Sequence, residues 1–170
     1  MPQPRVQHRV EHRDAQPYVG IHQATTMTTF DKVVQRFDQL VAWLAAAGVE
    51  PAGPPFIRYH VIDMDHELLV EAGLPVPQAL EGSGEVVAGV LPAGEYATVT
   101  HEGHPDELVE ATGALLDWAE QEGLAFDRWD DPRGDAWGCR VESYLTDPDE
   151  QPDMRRWQTE LFFRLADPAR

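Results

Sequence analysis

The sequence predicts an α+β fold made of two strand-helix-strand-strand halves that share an antiparallel sheet. Three observations lead there. A helix-period stretch occurs twice, at residues 29–48 and 105–123. Trp43 and Trp118 stand 75 residues apart, and so do Gly48 and Gly123. Each helical stretch follows β-rich sequence and precedes two more β-like runs. A duplicated half packs against its twin, and the seam between them is a concave junction of the kind that binding sites favour. With 170 residues and 42% hydrophobic content, the chain can bury a real core as a single domain over 1–170, half one spanning about 5–80 and half two about 84–166.

Along the first half, residues 5–13 alternate around Val6 and Val10, and 18–24 form a second extended run. From Thr29 the period changes: Phe30, Val33, Val34, Phe37, Leu40, Val41 and Leu44 fall at three- and four-residue steps on one helical face. Thr28 or Thr29 is placed to cap the helix start, and Gly48 to end it in the left-handed conformation. Residues 56–63 and 67–72 read as two antiparallel strands joined at Met64 and Asp65. Pro75, Pro77 and residues 81–84 are rich in breakers and are expected to carry the chain across to the second half.

The second half opens with runs 86–91 and 96–101, joined by a tight turn at Pro92, Ala93 and Gly94. Pro105 suits a first helical turn, and Asp106 and Glu107 suit the positive end of the helix dipole. Leu108, Leu115, Leu116 and Ala119 supply its apolar stripe. After a polar insertion containing Asp130, Asp131, Pro132 and Gly134, strands are expected at 137–145 and 157–165. On the last strand Trp157, Thr159, Leu161, Phe163 and Leu165 are assigned to the helix side, and Gln158, Glu160, Phe162 and Arg164 to the other face. On 137–145 the same reasoning puts Cys139, Val141, Ser143 and Leu145 on the helix side and Arg140, Glu142 and Tyr144 opposite. The face away from the helices, with its carboxylate and aromatic rings, becomes the expected ligand wall.

The formal charge of −17 argues against a nucleic-acid partner, because Lys and Arg must neutralise phosphates there. It favours an organic cation over an anion. A single cysteine, Cys139, allows no intramolecular disulfide. No secretion signal and no membrane-length apolar run is present, so the sequence reads as soluble and cytoplasmic, with no membrane partner. Oligomeric state is left open.

Four segments in order, AGPPFIRYH (52–60), LPAGEYATVTHEG (91–103), VESYLTDP (141–148) and WQTELFFRL (157–165), resemble the GyrI-like, or effector-binding, domain family. The resemblance spans roughly residues 5–165. It implies two strand-helix-strand-strand (SHS2) modules related by a pseudo-twofold axis, with a small-molecule groove at their junction. Such domains form the sensing half of AraC-type and MerR-type multidrug regulators, where a glutamate in the final strand meets lipophilic cations. The matching residue is Glu160, with Tyr59 and Tyr144 on the two tyrosine-bearing strands and Trp137, Phe162 and Phe56 as apolar wall. Only about four residues precede the first strand, which points to a stand-alone member without a helix-turn-helix.

The resulting expectation is a binding protein for small hydrophobic or cationic aromatic molecules, serving drug or toxin sequestration and resistance. A hydrolase opening the cyclopropane rings of DNA-alkylating genotoxins is the alternative, with Glu160 as general base and Tyr59 or Tyr144 as donor. A gyrase-inhibitor-type module is a further one. No cofactor and no metal are expected. His101 and His104 are three apart before a proline, and His8 and His12, four apart on one strand, are separated by about 13 Å. Trp43 and Trp118 are assigned to packing, Ser83, Ser143 and Cys139 lack a nucleophile context, and Glu71 and Glu142 are read as solvated strand carboxylates.

Overall fold

The computed structural model describes residues 7–63 and 65–167 of the protein. Its strands, in chain order, are β1 (Arg9–Arg13), β2 (Gln16–Thr25), β3 (Phe56–Ile62), β4 (Leu68–Pro75), β5 (Val87–Leu91), β6 (Gly94–Glu102), β7 (Arg128–Asp131), β8 (Gly134–Trp137), β9 (Arg140–Tyr144) and β10 (Gln158–Arg164). Helix α1 (Asp31–Ala47) joins β2 to β3, and α2 (Leu108–Gln121) lies between β6 and β7. All strand pairs are antiparallel, in the order β1-β6-β10-β9-β3-β4-β2-β5. Under the exchange of β1 with β5, β2 with β6, β3 with β9 and β4 with β10, that order reads the same from either end. The two halves are therefore related by a pseudo-twofold axis through the β3–β9 pair. The polar insertion of the second half forms the hairpin β7–β8, which attaches to β3 through β8.

The leading strand of each half is donated to the other. β1 pairs with β6 and β5 pairs with β2, so runs 86–91 and 96–101 do not form the hairpin their short connection suggested. The breaker-rich segment after Pro75 also stays with the first half: the Val76 amide donates to the Pro17 carbonyl, and Val76, Leu80 and Val86 pack in that half's core. The crossing falls at Pro92–Ala93. Turn chemistry fixes where the chain bends, but not which sheet edge is vacant to receive the next strand. The Met64 part of the expected β3–β4 connection, and Arg5 and Val6 of the first run, lie outside the described residues.

Both helices form where the period changes. Val33, Leu40 and Leu44 are the buried stripe of α1, and Gly48 ends it at φ 71° while its amide and that of Val49 bond back to Ala45 and Leu44 carbonyls. Neither Thr28 nor Thr29 caps the start. Phe30 holds that position, and the Thr29 hydroxyl accepts from the Thr26 amide, building the preceding turn instead. A single 3-10 turn, Pro105–Glu107, leads into α2. There His104 Nδ1 accepts from the Asp106 amide and the Glu107 carboxylate accepts from the His104 amide, a reciprocal capping box. Gly123 follows the second helix at φ 71°, the counterpart of Gly48.

Each helix covers its own half-sheet. Helix α1 packs on β2 and β4, and α2 packs on β6. Under α1 lie Val19, Ile21, Ile57, Val70 and Ala72; under α2 lie Ala97, Val99, Leu161 and Phe163. The far face carries a third apolar cluster, which includes Tyr18, Phe56, Tyr96, Cys139, Val141 and Phe162. That cluster explains the one inverted strand. On β9, Val141 pairs with Phe162 and Ser143 with Glu160, while Glu142 pairs with Leu161. Cys139, Val141 and Ser143 thus face away from the helices, and Arg140, Glu142 and Tyr144 face toward them. Where both faces of a strand are covered, alternation loses its polarity and a one-residue misreading flips every side chain. The run 137–145 is also broken at Gly138–Cys139 into β8 and β9.

Two rings on the far face lie across glycines directly opposite in register: Tyr18 over Gly89 and Phe56 over Gly73. A Cβ at Gly73 would collide with the Phe56 ring, so Gly73→Ala is expected to destabilise the protein by about 1–3 kcal/mol. Gly113, inside α2, has no atom near an added Cβ, and Gly113→Ala is expected to stabilise by roughly 0.5–1 kcal/mol. Urea unfolding midpoints of the two variants measure both signs.

Candidate functional site

The central pair β3–β9 lies between the half-sheets covered by the two helices, and its helix-side residues gather a carboxylate and two tyrosines. Ile57 lies opposite Glu142, which places Tyr59 from one half beside Glu142 and Tyr144 from the other. The Tyr144 hydroxyl donates to Glu142 Oε1 at 2.7 Å, and the Tyr59 hydroxyl donates to Oε2 at 3.3 Å. Each carboxylate oxygen thus has one tyrosine. Helix α1 adds Phe30 and Phe37, whose rings lie 6.2 Å from Tyr59 and 6.3 Å from Tyr144. On the other side the Arg140 guanidinium stacks 5.6 Å from the Tyr59 ring, 4.9 Å from Trp137 and 4.7 Å from Phe163. Its Nε is buried and has no hydrogen-bond partner.

Tyr59, Arg140, Glu142 and Tyr144 are all partly exposed. Burial pushes the Glu142 carboxyl above its ordinary range, against the opposing pull of the Tyr144 and Tyr59 hydroxyls and Arg140. Burial and the neighbouring Glu142 charge push both tyrosines well up, so they remain protonated donors. Burial pulls Arg140 down. The cluster is a partly exposed, aromatic site whose carboxylate has no salt-bridge partner among the described residues.

The residues singled out from the sequence divide between the two faces. Tyr59 and Tyr144 meet at the seam, one from each half, and Trp137 stacks on Arg140 on the same side. Glu160, Phe162 and Phe56 lie on the opposite face, along a cleft of about 290 Å³ that Tyr96, Leu91 and Arg13 also line. Glu160 therefore cannot act together with the two tyrosines. Nor do Arg140 or Arg164 pair with it. Its partners are Arg13, at 3.0 Å, and Arg9, at 3.6 Å, both from the exchanged strand β1. Arg13 also covers the Phe162 ring at 4.0 Å.

Glu142, expected from the sequence to be a solvated strand carboxylate, is instead held by the Tyr59 and Tyr144 hydroxyls. The signal was present in VESY, which puts Glu142 and Tyr144 two apart on one strand face. Glu71, also expected in solvent, is 1% exposed and accepts from the Tyr18 hydroxyl at 2.6 Å. Cys139 is fully buried, and burial raises its thiol pKa. Trp43 and Trp118 are packing residues, the first donating to the Ser83 hydroxyl and the second stacked on His8.

Twin modules with a carboxylate and aromatic rings at their seam define a class of small-molecule-binding domain. The sequence matches the GyrI-like small molecule binding domain over residues 7–166, and the chain belongs to that family. Among solved structures, the C-terminal domain of EcmrR is similar at 20% identity and a TM-score of 0.71, over 96% of this chain and 99% of that one. This chain spans 58% of the EcmrR chain seen in its complex with DNA, where identity is 19% and the TM-score 0.72. SAV2435 bound to tetraphenylphosphonium is similar at 9% identity and a TM-score of 0.60, over 94% of both chains. A hydrolase from Listeria innocua is similar at 17% identity and a TM-score of 0.64, over 96% of this chain and 93% of that one. No curated protein matches the sequence. Among the described residues, no helix is long and apolar enough to cross a membrane.

Because Glu142 holds its proton more tightly in the folded protein than in the unfolded chain, its contribution to stability is complete below the ordinary carboxylate value of 4.5. It is lost as pH rises through the raised value. Glu142→Gln, which keeps the tyrosine acceptor but removes the charge, is expected to gain stability relative to the parent as pH climbs from 4.5. Urea midpoints across that range check the sign.

Proposed function

We propose that the protein binds flat aromatic small molecules, often cationic, in the groove between α1 and α2, with Glu142 as electrostatic anchor. The observation that carries this reading is the Glu142 carboxylate, held by two tyrosine hydroxyls in an aromatic groove without a fixed counterion. Arg140, the nearby cation, rests on Tyr59, Trp137 and Phe163 rather than on the carboxylate. A cationic guest would offset the desolvation of Glu142 through Coulomb attraction and would stack on the tyrosine and phenylalanine rings. Glu160, by contrast, is already matched by two arginines. Few directional bonds and many rings give broad rather than narrow selectivity, which suits sequestration of drugs or toxins. The tetraphenylphosphonium bound to SAV2435, a fold relative, is a cation of this kind and supports the reading.

A hydrolytic role is the second reading. A carboxyl with a raised pKa beside two protonated tyrosines forms a base and donor pair, and a raised value brings the carboxyl nearer to the pH at which a general base works best. Glu142 would then activate water, while Tyr59 or Tyr144 donates to the oxygen that gains electron density. Fold similarity to the Listeria innocua hydrolase is compatible with this reading.

Calorimetric titration with tetraphenylphosphonium tests the anchor. Glu142→Gln is expected to weaken binding about tenfold or more, equivalent to about 1.4 kcal/mol, and Glu160→Gln to leave it within about twofold. Affinity is expected to rise as pH increases through the raised Glu142 value, because only the ionised carboxylate attracts the cation. Equal affinity in the parent and Glu142→Gln would refute the anchor. A cyclopropane-containing alkylator incubated with the protein should remain intact by mass spectrometry. Its conversion to a product heavier by one water, lost in Glu142→Gln, would establish the hydrolase.

A further inference from the structure

Three donors that sequence spacing does not connect meet on the face opposite the groove. His22 on β2 lies directly across from Glu71 on β4, and His60 arrives from β3 on the other side of β4. His60 sits in a β-bulge: Tyr59 is opposite Val70 and Val61 opposite Leu69, so His60 is the extra residue. A bulge re-aims a side chain, and here it turns an imidazole onto the carboxylate of the adjacent strand. His60 Nε2 lies 2.9 Å from Glu71 Oε1, and His22 Nε2 lies 3.6 Å from Oε2. The two imidazole rings are 5.2 Å apart, and the three donor atoms lie within 4.8 Å of one another.

We propose that His22, His60 and Glu71 form a binding site for a divalent transition-metal ion, best suited to Zn2+. Two imidazoles and one carboxylate are a zinc donor set, with the remaining position left to water. Ligands about 2.0–2.2 Å from a tetrahedral zinc stand roughly 3.3–3.6 Å apart. His22 and Glu71 already meet that spacing, and the other separations need only small side-chain adjustments. Solvent access is one-sided: Glu71 is 1% exposed, His60 28% and His22 60%, so the open position faces water.

The shell around the carboxylate supports the same assignment. The Tyr18 hydroxyl donates to Glu71 Oε1 at 2.6 Å, and Arg58 Nη1 donates to the Tyr18 oxygen at 3.0 Å. Arg58 is itself tied to the Val90 and Gly138 carbonyls, which fixes the chain of contacts behind the ligand. Space beside the carboxylate is kept clear by Gly20, where a Cβ would come within 2.5 Å of Glu71 Oε2. Histidines 38 residues apart in sequence, with a glutamate on a third strand, match no local metal motif.

Tag-free protein, stripped with a chelator and titrated with Zn2+ by calorimetry, tests the site. Binding of one Zn2+ per chain is expected, with Co2+ giving visible bands of a low-symmetry imidazole site. His22→Ala and His60→Ala should each weaken Zn2+ binding tenfold or more, with His12→Ala and Glu142→Gln unchanged. Circular dichroism and urea midpoints of the histidine variants confirm that they fold. Absence of Zn2+ binding, or affinity indifferent to both histidines, would overturn the site and leave a hydrogen-bonded cluster. Because Glu142 lies on the other face, failure here leaves tetraphenylphosphonium binding untouched, and the two readings fail separately.

Discussion

Pairing of β3 with β9 is the constraint on which the rest of the molecule depends. Each strand belongs to a different half, and their ladder, extended by the bond from the Tyr144 amide to the Pro55 carbonyl, joins two half-sheets into one. Helix α1 is centred over β2 and β4 and α2 over β6, and Ile57, Tyr59 and Tyr144 of the central pair pack at the edge of the α1 core. Two α-helices centred over separate half-sheets leave the central pair between them. Because the pair sets the register across the axis, it also decides that Tyr59 meets Glu142 and Tyr144.

Exchange of the leading strands governs the electrostatics of the other face. By pairing with β6, β1 brings Arg9 and Arg13 to Glu160 and lays Arg13 over Phe162. That carboxylate is satisfied within the fold. Glu142 has only neutral donors in direct contact, and in a chain of charge −17 a partly desolvated carboxylate without a cationic partner is stabilised mainly by those donors and by taking up a proton. The two glutamates sit on opposite faces of one sheet, and their different fates come from which strand lies next to each.

Polar chemistry is thus present on both sheet faces, supported in different ways. The Tyr59, Glu142 and Tyr144 cluster draws on strands from both halves, whereas the His22, His60 and Glu71 cluster lies wholly within the first half on β2, β3 and β4. A bulge and a glycine, rather than a loop, shape the second cluster. Sites on strands are held more rigidly than sites on loops, because ladder hydrogen bonds fix both neighbours of every ligand.

The sequence by itself determined the α+β class, the duplication, both helices with their glycine ends and most strands. These depend on local periodicity and on backbone conformations that a few residues impose, so a linear reading captures them. Only the tertiary structure decided the strand exchange, the face of β9, the partners of Glu160 and the gathering of His22, His60 and Glu71. Alternation assigns two faces to a strand but does not say which is which when both are covered, as Val141 and Glu142 show. Contacts across strands also depend on register, which in this chain is set by pairing between segments distant in sequence. That Glu142 rather than Glu160 meets both Tyr59 and Tyr144 follows from the long-range pairing of β3 with β9.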